Sequence, residues 1–385
     1  RHRRKGTILI PVCEPRVDGR ELEYVTDCVR TGWISSAGPY IKRFEASWAA
    51  YCGRRTGVAV SNGTVALEAA VRCLGLQPGD EVVLPTFTII SCALAVLRGG
   101  ATPVLVDADP DTWCMDVDKV EAALTPRTRA IMPVHIYGHP VDMDPLVALA
   151  HEHDLFIIED AAEAHGGQYL GGWRSGSGTW QTCGSFGDAS CFSFYANKII
   201  STGEGGMVLT DDPTLSDRLA SLRNLYFEPG RRFYHSELGS NFRLTNLQAA
   251  IGLAQLETAE ERLEHKRWLG KAYQERLSRV SGLSVQTIRP WARPVYWMFG
   301  IVVDEHVGKT AATVSDYLAS EGVMTRPFFT GMHEQPALQR MGLFQDGRYP
   351  VAERLARQGL YLPSGPTLTE TQLEQVCDAV TSALG

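Results

Sequence analysis

Three polar segments of the 385-residue chain carry side chains that are capable of chemistry. Ser61-Asn62-Gly63-Thr64 follows an apolar run and opens a helical pattern, and the N–H groups of a helix start favour an anion such as phosphate. Asp160 also follows an apolar run, where an acid either caps the next helix or faces a cationic ligand group. Lys198 follows a later strand-like run, where a desolvated amine would be a nucleophile towards aldehydes.

Taken singly, each segment has a plain structural explanation as a capped turn, a helix cap or a surface lysine. Taken together, they are the parts of a pyridoxal 5'-phosphate (PLP) site. Such a site needs a phosphate-binding helix start, a lysine that forms a Schiff base, and an acid opposite the pyridinium nitrogen. The combination therefore predicts PLP as the cofactor.

Other chemical constellations are less well supported. His135 and His139 have an i, i+4 spacing, but they bracket Gly138 and lack the glutamate of an H-E-x-x-H metal motif. The glycines from Gly203 to Gly206 lack the Lys and Ser/Thr of a P-loop. We therefore expect no metal in the site.

The elements that must position these residues alternate through the first two-thirds of the chain. Short, nearly all-apolar runs predict strands covered on both faces of a parallel sheet, and helical patterns lie between them. The predicted strands are 58–60, 81–84, 103–106, 130–134, 155–159, 189–194 and 206–210. This alternation predicts an α/β doubly wound sheet, in which ligands bind beyond the carboxyl ends of the strands.

The remaining segments predict a second, smaller α/β unit without internal repeats. The Gly-, Ser- and Thr-rich segment 166–187 predicts a loop or loose hairpin. A charged helical stretch over about 247–280 would lead into the C-terminal unit. That unit has a predicted strand near 296–303 and predicted helices near 312–321 and 370–384.

Composition and charge narrow the possible partners. The chain has 37 Lys and Arg against 44 Asp and Glu, a net charge of −7, which argues against a nucleic-acid partner. No apolar run approaches the roughly 20 residues of a membrane helix, and Pro11 and Glu14 interrupt any signal peptide after the basic start. Nine cysteines without a C-x-x-C pair are typical of thiols in a reducing cytosol. We expect a cytoplasmic protein without a membrane partner.

The sequence resembles the DegT/DnrJ/StrS group of PLP-dependent nucleotide-sugar aminotransferases over nearly its whole length. The resemblance implies an α/β fold of type I, with a large domain built on a mostly parallel seven-stranded sheet and a smaller C-terminal α/β domain. It divides the chain into an N-terminal arm with the first helix (1–30), the large PLP-binding domain (31–255) and the small domain (256–385). It rests on these motifs: Thr31-Gly32-Trp33-Ile34-Ser35-Ser36, Ser61-Asn62-Gly63-Thr64-Val65-Ala66-Leu67, Gly79-Asp80-Glu81-Val82, Val134-His135-Ile136-Tyr137-Gly138, Ile158-Glu159-Asp160, Asn197-Lys198, Thr202-Gly203-Glu204-Gly205-Gly206-Met207 and Arg326-Pro327-Phe328-Phe329.

The resemblance also assigns roles to individual residues. Lys198 would hold PLP as a Schiff base and, once displaced, move the proton, while Asp160 would pair with the pyridinium nitrogen. Glu163 would lie near the ring hydroxyl. The phosphate would be bound by Gly63, Thr64 and Ser193, and by Asn241 of a neighbouring subunit, which implies a homodimer with shared active sites. Candidate substrate contacts, for which a packing or turn role is at least as well supported, are Trp33, Ser35 and His333.

The sequence departs from the family pattern at two places, and each departure leads to a prediction. Ile89 occupies the position where close relatives stack an aromatic residue on the PLP ring. Because such stacking contributes roughly 1 kcal/mol, we expect PLP to be held more weakly or covered differently. The stretch from Gly171 to Gly184 is longer than the short hairpin expected there. We interpret it as a surface insertion, with altered access to the site as the alternative.

The implied reaction is transamination with L-glutamate as amino donor and pyridoxamine phosphate as the cofactor form during turnover. By resemblance, the acceptor is GDP-4-keto-6-deoxymannose, aminated at C4. An aminotransferase acting on a 3-keto sugar or a keto-cyclitol would share the same cofactor residues. A PLP-dependent sugar dehydratase typically lacks the Schiff-base lysine, so Lys198 argues against it. A regulatory protein of the same fold is disfavoured by the complete cofactor set.

Overall fold

The structure is a computed structural model that describes residues 9–176, 178–228 and 230–385. The basic start of the chain, Arg1 to Lys5, lies outside the described residues. None of the helices in these three ranges combines the length and apolar character needed to cross a bilayer.

The strands of the described residues are numbered in chain order. They are β1 Thr56–Val60, β2 Glu81–Pro85, β3 Thr102–Val106, β4 Thr128–Ile131, β5 Phe156–Asp160, β6 Gln168–Gly171, β7 Thr179–Thr182, β8 Ala189–Ser193, β9 Gly206–Thr210, β10 Phe227–Glu228, β11 Arg231–His235, β12 Leu283–Val285, β13 Ala292–Arg293, β14 Phe299–Val303, β15 Arg326–Pro327 and β16 Gly359–Leu362.

The α-helices are numbered in the same way, and short 3₁₀ turns lie between them. The helices are α1 Glu21–Thr31, α2 Pro39–Tyr51, α3 Gly63–Cys73, α4 Ser91–Arg98, α5 Val120–Ala123, α6 Met143–Glu152, α7 Pro213–Arg223, α8 Asn246–Glu257, α9 Ala259–Leu277, α10 Ala311–Ser320, α11 Pro336–Gln339, α12 Pro350–Gln358 and α13 Glu370–Leu384.

Seven strands form the large sheet, in the order β1-β9-β8-β5-β4-β2-β3. β9 runs antiparallel to both of its neighbours, β1 and β8, whereas the other neighbouring pairs are parallel. The mostly parallel sheet expected from the apolar runs is therefore confirmed. Its strands are largely buried because helices cover both faces, as parallel sheets require.

The polar segments that follow β1, β5 and β8 meet at one edge of this sheet. These three strands run in the same direction, since β1 and β8 are both antiparallel to β9. Their carboxyl ends therefore lie side by side, and the connection 194–205 between β8 and β9 stays at the same edge. The topology brings Gly63, Asp160 and Lys198 together from distant parts of the sequence.

A second sheet of four antiparallel strands, ordered β12-β14-β16-β15, forms the other unit. Helices α9, α10 and α13 pack with it around an apolar core that includes Tyr273, Leu318 and Val380. The predicted domain boundary between 255 and 256 lies inside α8 and stays a prediction.

One stretch that was predicted as a single helix is interrupted in the structure. The stretch expected over 247–280 is two helices, α8 and α9, separated at Thr258. Thr258 leaves the helical conformation (φ −114°, ψ 20°), and its N–H returns to the carbonyl of Gln255. A β-branched residue has low helix propensity, so a break there costs little.

The segment 166–187 is a hairpin that is anchored by a buried glutamate. β6 and β7 pair with each other, and β6 also pairs with β13. Glu159 on β5 is fully buried and accepts hydrogen bonds from His135 Nε2 (2.9 Å), Ser190 Oγ (2.8 Å) and the N–H groups of Phe186 (2.9 Å) and Gly187 (3.0 Å), and from Gly184 N–H. Burial acts to raise the pKa of Glu159, but His135 and the other donors outweigh it and hold the pKa below its usual range.

Replacing this anchor tests its contribution to stability. We expect Glu159→Gln to lower the free energy of unfolding by about 2–4 kcal/mol, because one amide oxygen and one NH₂ group cannot accept the same set of donors. Since the folded-state pKa is depressed, the loss should be largest near neutral pH and shrink as the pH falls through that pKa. Urea denaturation measures it, with Glu121→Gln at an exposed position as the control. Equal midpoints for both variants would contradict the assignment.

Candidate active site

A cavity of about 700 Å³ opens at the carboxyl edge of the large sheet. Lys198, Asp160 and Glu163 lie in its wall together with other predicted cofactor residues: Gly63, Thr64, Ile89 and Ser193. Side chains from the second unit complete it: Trp297, Phe329 and Tyr361. The cavity therefore brings the amine of Lys198 and the carboxylates of Asp160 and Glu163 to an aromatic wall, and its lining also includes Arg98 and Glu204.

Lys198 places its amine inside this cavity. Its backbone N–H bonds to the carbonyl of Tyr195 (2.8 Å) in the connection between β8 and β9. Nζ lies 3.8 Å from Oε1 of Glu163, and the side chain is 9% exposed. Burial lowers the pKa of Lys198, while the charges of Glu163 and Asp160 act in the opposite direction. An amine in this setting is closer to its nucleophilic, neutral form than a surface lysine is.

Asp160 ends β5, and the alternation of the strand turns it away from its neighbour Glu159. One of its oxygens accepts the N–H of Ala162 (3.0 Å), and the other accepts the thiol of Cys92 (3.2 Å). Burial raises the pKa of Asp160. A cationic group brought into the cavity would compensate the burial of this carboxylate.

Glu163 provides the second carboxylate. Its Oε2 accepts the backbone N–H of Tyr137 (2.7 Å), a residue that has positive φ (54°). Burial raises the pKa of Glu163 to about 7, against the opposing charge of Lys198. Near neutral pH this group can therefore either accept or donate a hydrogen bond at the cavity wall.

The start of α3 forms a cradle for an anion. The Asn62 side chain accepts the N–H of Val65 (3.0 Å) and its carbonyl accepts Ala66 N–H (3.1 Å), so the amides of Gly63 and Thr64 have no acceptor within the helix. A Cβ on Gly63 would lie 2.6 Å from Cβ of Ser193. Only glycine lets α3 approach the end of β8 this closely.

Comparisons with known proteins identify the family. The model of the DegT/DnrJ/EryC1/StrS aminotransferase family matches residues 15–381. The chain belongs to this family. It is 42% identical to GDP-perosamine synthase of Caulobacter vibrioides (97% of this chain, 98% of the relative). It is 40% identical to GDP-perosamine synthase of Escherichia coli O157:H7 (96% and 97%). The crystal structure of S. venezuelae DesV in complex with a ketimine intermediate has a TM-score of 0.87 at 35% identity (98% and 99%).

This aminotransferase therefore uses PLP, and the cavity fits that cofactor. The cradle at Gly63 suits a phosphate at a helix start, and the acid at Asp160 suits a ring nitrogen. The buried amine of Lys198 suits an aldehyde. The expected type I fold and PLP dependence are confirmed, whereas the roles of the single residues stay predictions.

The aromatic wall was missed from the sequence. Trp297, Phe329 and Tyr361 line the cavity from segments that lie far along the chain from Lys198. Phe329 belongs to the Arg326-Pro327-Phe328-Phe329 motif and Trp297 to the strand predicted near 296–303, but none of the three was named as a site residue. Local patterning gave no signal that Trp297 and Tyr361 reach the cavity, because each lies in or beside a strand of the second unit.

Four predicted residues lie outside the set that lines the cavity of the single chain. Asn241 is exposed and forms a bridge with Asn224. Trp33 is 51% exposed, and Ser35 is exposed and accepts the N–H of Asn246 through its carbonyl (2.6 Å). His333 is buried, with Nδ1 2.8 Å from the Thr86 hydroxyl. Ser35 and His333 have these contacts within the chain, and the substrate contacts proposed for Trp33, Ser35 and His333 stay predictions.

Ile89 and the hairpin differ in their relation to the cavity. Ile89 lines the cavity and is 44% exposed, so a weaker hold on the PLP ring stays a prediction. Among the described residues that line the cavity, none comes from the stretch between Gly171 and Gly184. In the single chain this agrees with a surface insertion.

The two histidines considered for a metal are bonded to the protein. His135 Nδ1 accepts the N–H of Val141 (3.0 Å), and Nε2 bonds to Glu159. His139 Nδ1 bonds to the carbonyl of Pro140 (2.7 Å), and burial lowers its pKa to about 4. These contacts give both rings a structural role.

The glycine cradle can be tested by adding one methyl group. We expect Gly63→Ala to weaken PLP binding at least about tenfold, because the new Cβ would force α3 away from Ser193. Spectroscopic titration with PLP measures the affinity, and circular dichroism reports the fold. Gly171→Ala is the matched control, since its Cβ would meet the end of the exposed Gln181 side chain. Unchanged affinity in Gly63→Ala would show that the cradle does not hold the phosphate.

The raised pKa of Glu163 predicts a pH effect on stability. The folded state holds this proton more tightly than the unfolded state, so its stabilising contribution is full below about 4.5 and is lost as the pH rises to about 7. Glu163→Gln does not titrate, so its stability does not fall in this way as the pH rises. We therefore expect the variant to gain stability relative to the parent protein between pH 5 and pH 8. Urea denaturation of both PLP-free proteins measures the difference, and a constant difference over this range would contradict the shift.

Proposed function

We propose that this enzyme transfers the amino group of L-glutamate to C4 of GDP-4-keto-6-deoxymannose and forms GDP-perosamine. The position of the Lys198 amine, buried in one cavity with Asp160 and Glu163, is the observation that carries the transfer chemistry. The choice of sugar is supported by the two GDP-perosamine synthases, which are 42% and 40% identical over nearly their whole length.

Bound PLP supplies an aldehyde that condenses with amines and a ring that accepts the electrons of the bond being broken. In this proposal the amides of Gly63 and Thr64, with the hydroxyl of Ser193, bind the phosphate. Asp160 keeps the ring nitrogen protonated, because its carboxylate needs a cationic partner in the buried site. Glu163 would bind the ring hydroxyl through a hydrogen bond.

Lys198 moves the protons of both half-reactions. Its Nζ would take the proton from Cα of glutamate, whose amino group would pass to the cofactor while water supplies the keto oxygen of the released 2-oxoglutarate. In the second half-reaction Nζ would return a proton to C4 of the sugar, which receives the amino group and loses its keto oxygen as water. Burial lowers the pKa of this amine, which brings it closer to neutrality, where proton exchange is efficient. The apolar wall of Trp297, Phe329 and Tyr361 limits the access of water to this step.

The proposed working form is a homodimer in the cytoplasm. Exposed apolar side chains lie on and near the β10–β11 hairpin, a few residues before Asn241: Phe233 is 76% exposed and Leu238 is 92% exposed. A second subunit would cover them and bring Asn241 to the neighbouring phosphate. The nine free thiols support a reducing compartment.

A two-step spectroscopic experiment tests the function. We expect the purified protein with PLP to be yellow, to lose the colour with L-glutamate, and to regain it with GDP-4-keto-6-deoxymannose. Lys198→Ala should lower the rate of the glutamate step by at least about a thousandfold, since it lacks the amine that moves the proton. Lys271→Ala, at an exposed position, is the control and should respond like the parent protein.

The possible failures have separate meanings. A yellow protein that is unmoved by glutamate would overturn the choice of donor. Recovery of colour with a 3-keto sugar or a keto-cyclitol, and not with the GDP-linked 4-keto sugar, would overturn the choice of acceptor. A protein that stays colourless with added PLP would overturn the assignment of the cavity itself.

A further inference from the structure

The indole ring of Trp297 lies directly against the amine of Lys198. Nζ is 3.4 Å from the centroid of the ring, which is well within the distance of a cation–π contact. The same amine is 3.8 Å from Glu163, beyond a normal hydrogen bond. The aromatic face is therefore the nearer of these two neighbours.

The indole is fixed from several directions. Its Nε1 donates to the carbonyl of Asn197 (2.8 Å), the residue next to Lys198. The backbone N–H of Trp297 donates to Tyr137 (3.0 Å), and its carbonyl accepts Nζ of the buried Lys266 (3.1 Å). The ring also stacks on Tyr137, with centroids 6.4 Å apart and an interplanar angle of 29°. Because the ring is held this firmly, the flexible lysine side chain comes to the ring.

We propose that Trp297 is a positioning residue for amino transfer, whose ring holds the Lys198 amino group whenever that group is not bonded to the cofactor. This inference rests on the proposed function, in which the amine is released in each half-reaction. A released lysine has four carbons of flexible stem and would otherwise spread over many rotamers. The ring restricts it to a place beside the reacting atoms.

An aromatic face suits this task better than a second carboxylate would. The ring attracts the ammonium form through its quadrupole but has no lone pair that competes for the proton. The amine can therefore carry a proton in the buried cavity and still deliver it. Burial opposes the charged form of Lys198, and the ring offsets part of that effect.

The protonation of Lys198 in the PLP-free protein gives a direct test. Acetic anhydride labels neutral amines, so the labelling of Lys198 across pH 6–11, read by mass spectrometry, reports its titration. Exposed Lys271 serves as the internal reference. We expect Trp297→Leu to lower the midpoint of Lys198 labelling by about one pH unit, because the ammonium loses its aromatic partner.

Two further variants separate the ring from its other contacts. Trp297→Phe keeps an aromatic face but loses the N–H bonded to Asn197, and we expect its midpoint to stay close to that of the parent protein. Trp297→Met is a second apolar replacement, which fills irregular space if leucine disturbs the fold. Midpoints that are equal in all four proteins, or a shift in the Phe variant as large as in the Leu variant, would overturn the proposal.

A second readout links the contact to catalysis. In a single turnover with glutamate, we expect Trp297→Leu to slow the loss of colour at least about tenfold at unchanged glutamate affinity, and Trp297→Phe to restore most of the rate. An unaltered rate in the Leu variant would overturn the positioning role. The labelling needs neither PLP nor substrate, so a shifted midpoint in a protein that ignores glutamate would instead locate the failure in the proposed function.

Discussion

A lysine amine buried beside two carboxylates is the constraint on which the rest of the site depends. Burial drives the pKa of Lys198 down and those of Asp160 and Glu163 up, so the cavity disfavours the charged form of each group. A cofactor with an anionic phosphate and a cationic ring completes this arrangement. Binding of the cofactor and stability of the cavity are therefore thermodynamically linked.

Glu159 and Asp160 are adjacent on β5 but have different roles. Glu159 is surrounded by donors that lower its pKa, and it anchors a hairpin. Asp160 points the other way, into a cavity where burial raises its pKa. The period of two in a β-strand is enough to separate a structural charge from a chemical one by a single position.

Local signals in the sequence predicted the parts of the fold that are themselves local. The apolar runs located the strands of the large sheet, and the segment Ser61-Asn62-Gly63-Thr64 located the start of α3. The aromatic wall was not predictable in this way, because Trp297 reaches the cavity only through the packing of a second sheet about 100 residues along the chain from Lys198. The buried position of His333 could not be predicted for the same reason, since its hydrogen-bond partner Thr86 lies 247 positions away in the chain.

The large sheet and the smaller unit contribute different kinds of residue to the cavity. Residues at the edge of the large sheet supply the amine, the two acids and the cradle at the start of α3, whereas Trp297, Phe329 and Tyr361 come from the smaller unit. Substitutions at Phe329 and Tyr361 can therefore reshape the space offered to a sugar without altering the cradle or the acids. Related enzymes can therefore evolve to accept new sugars through changes in the aromatic wall, while the lysine, the acids and the cradle stay the same.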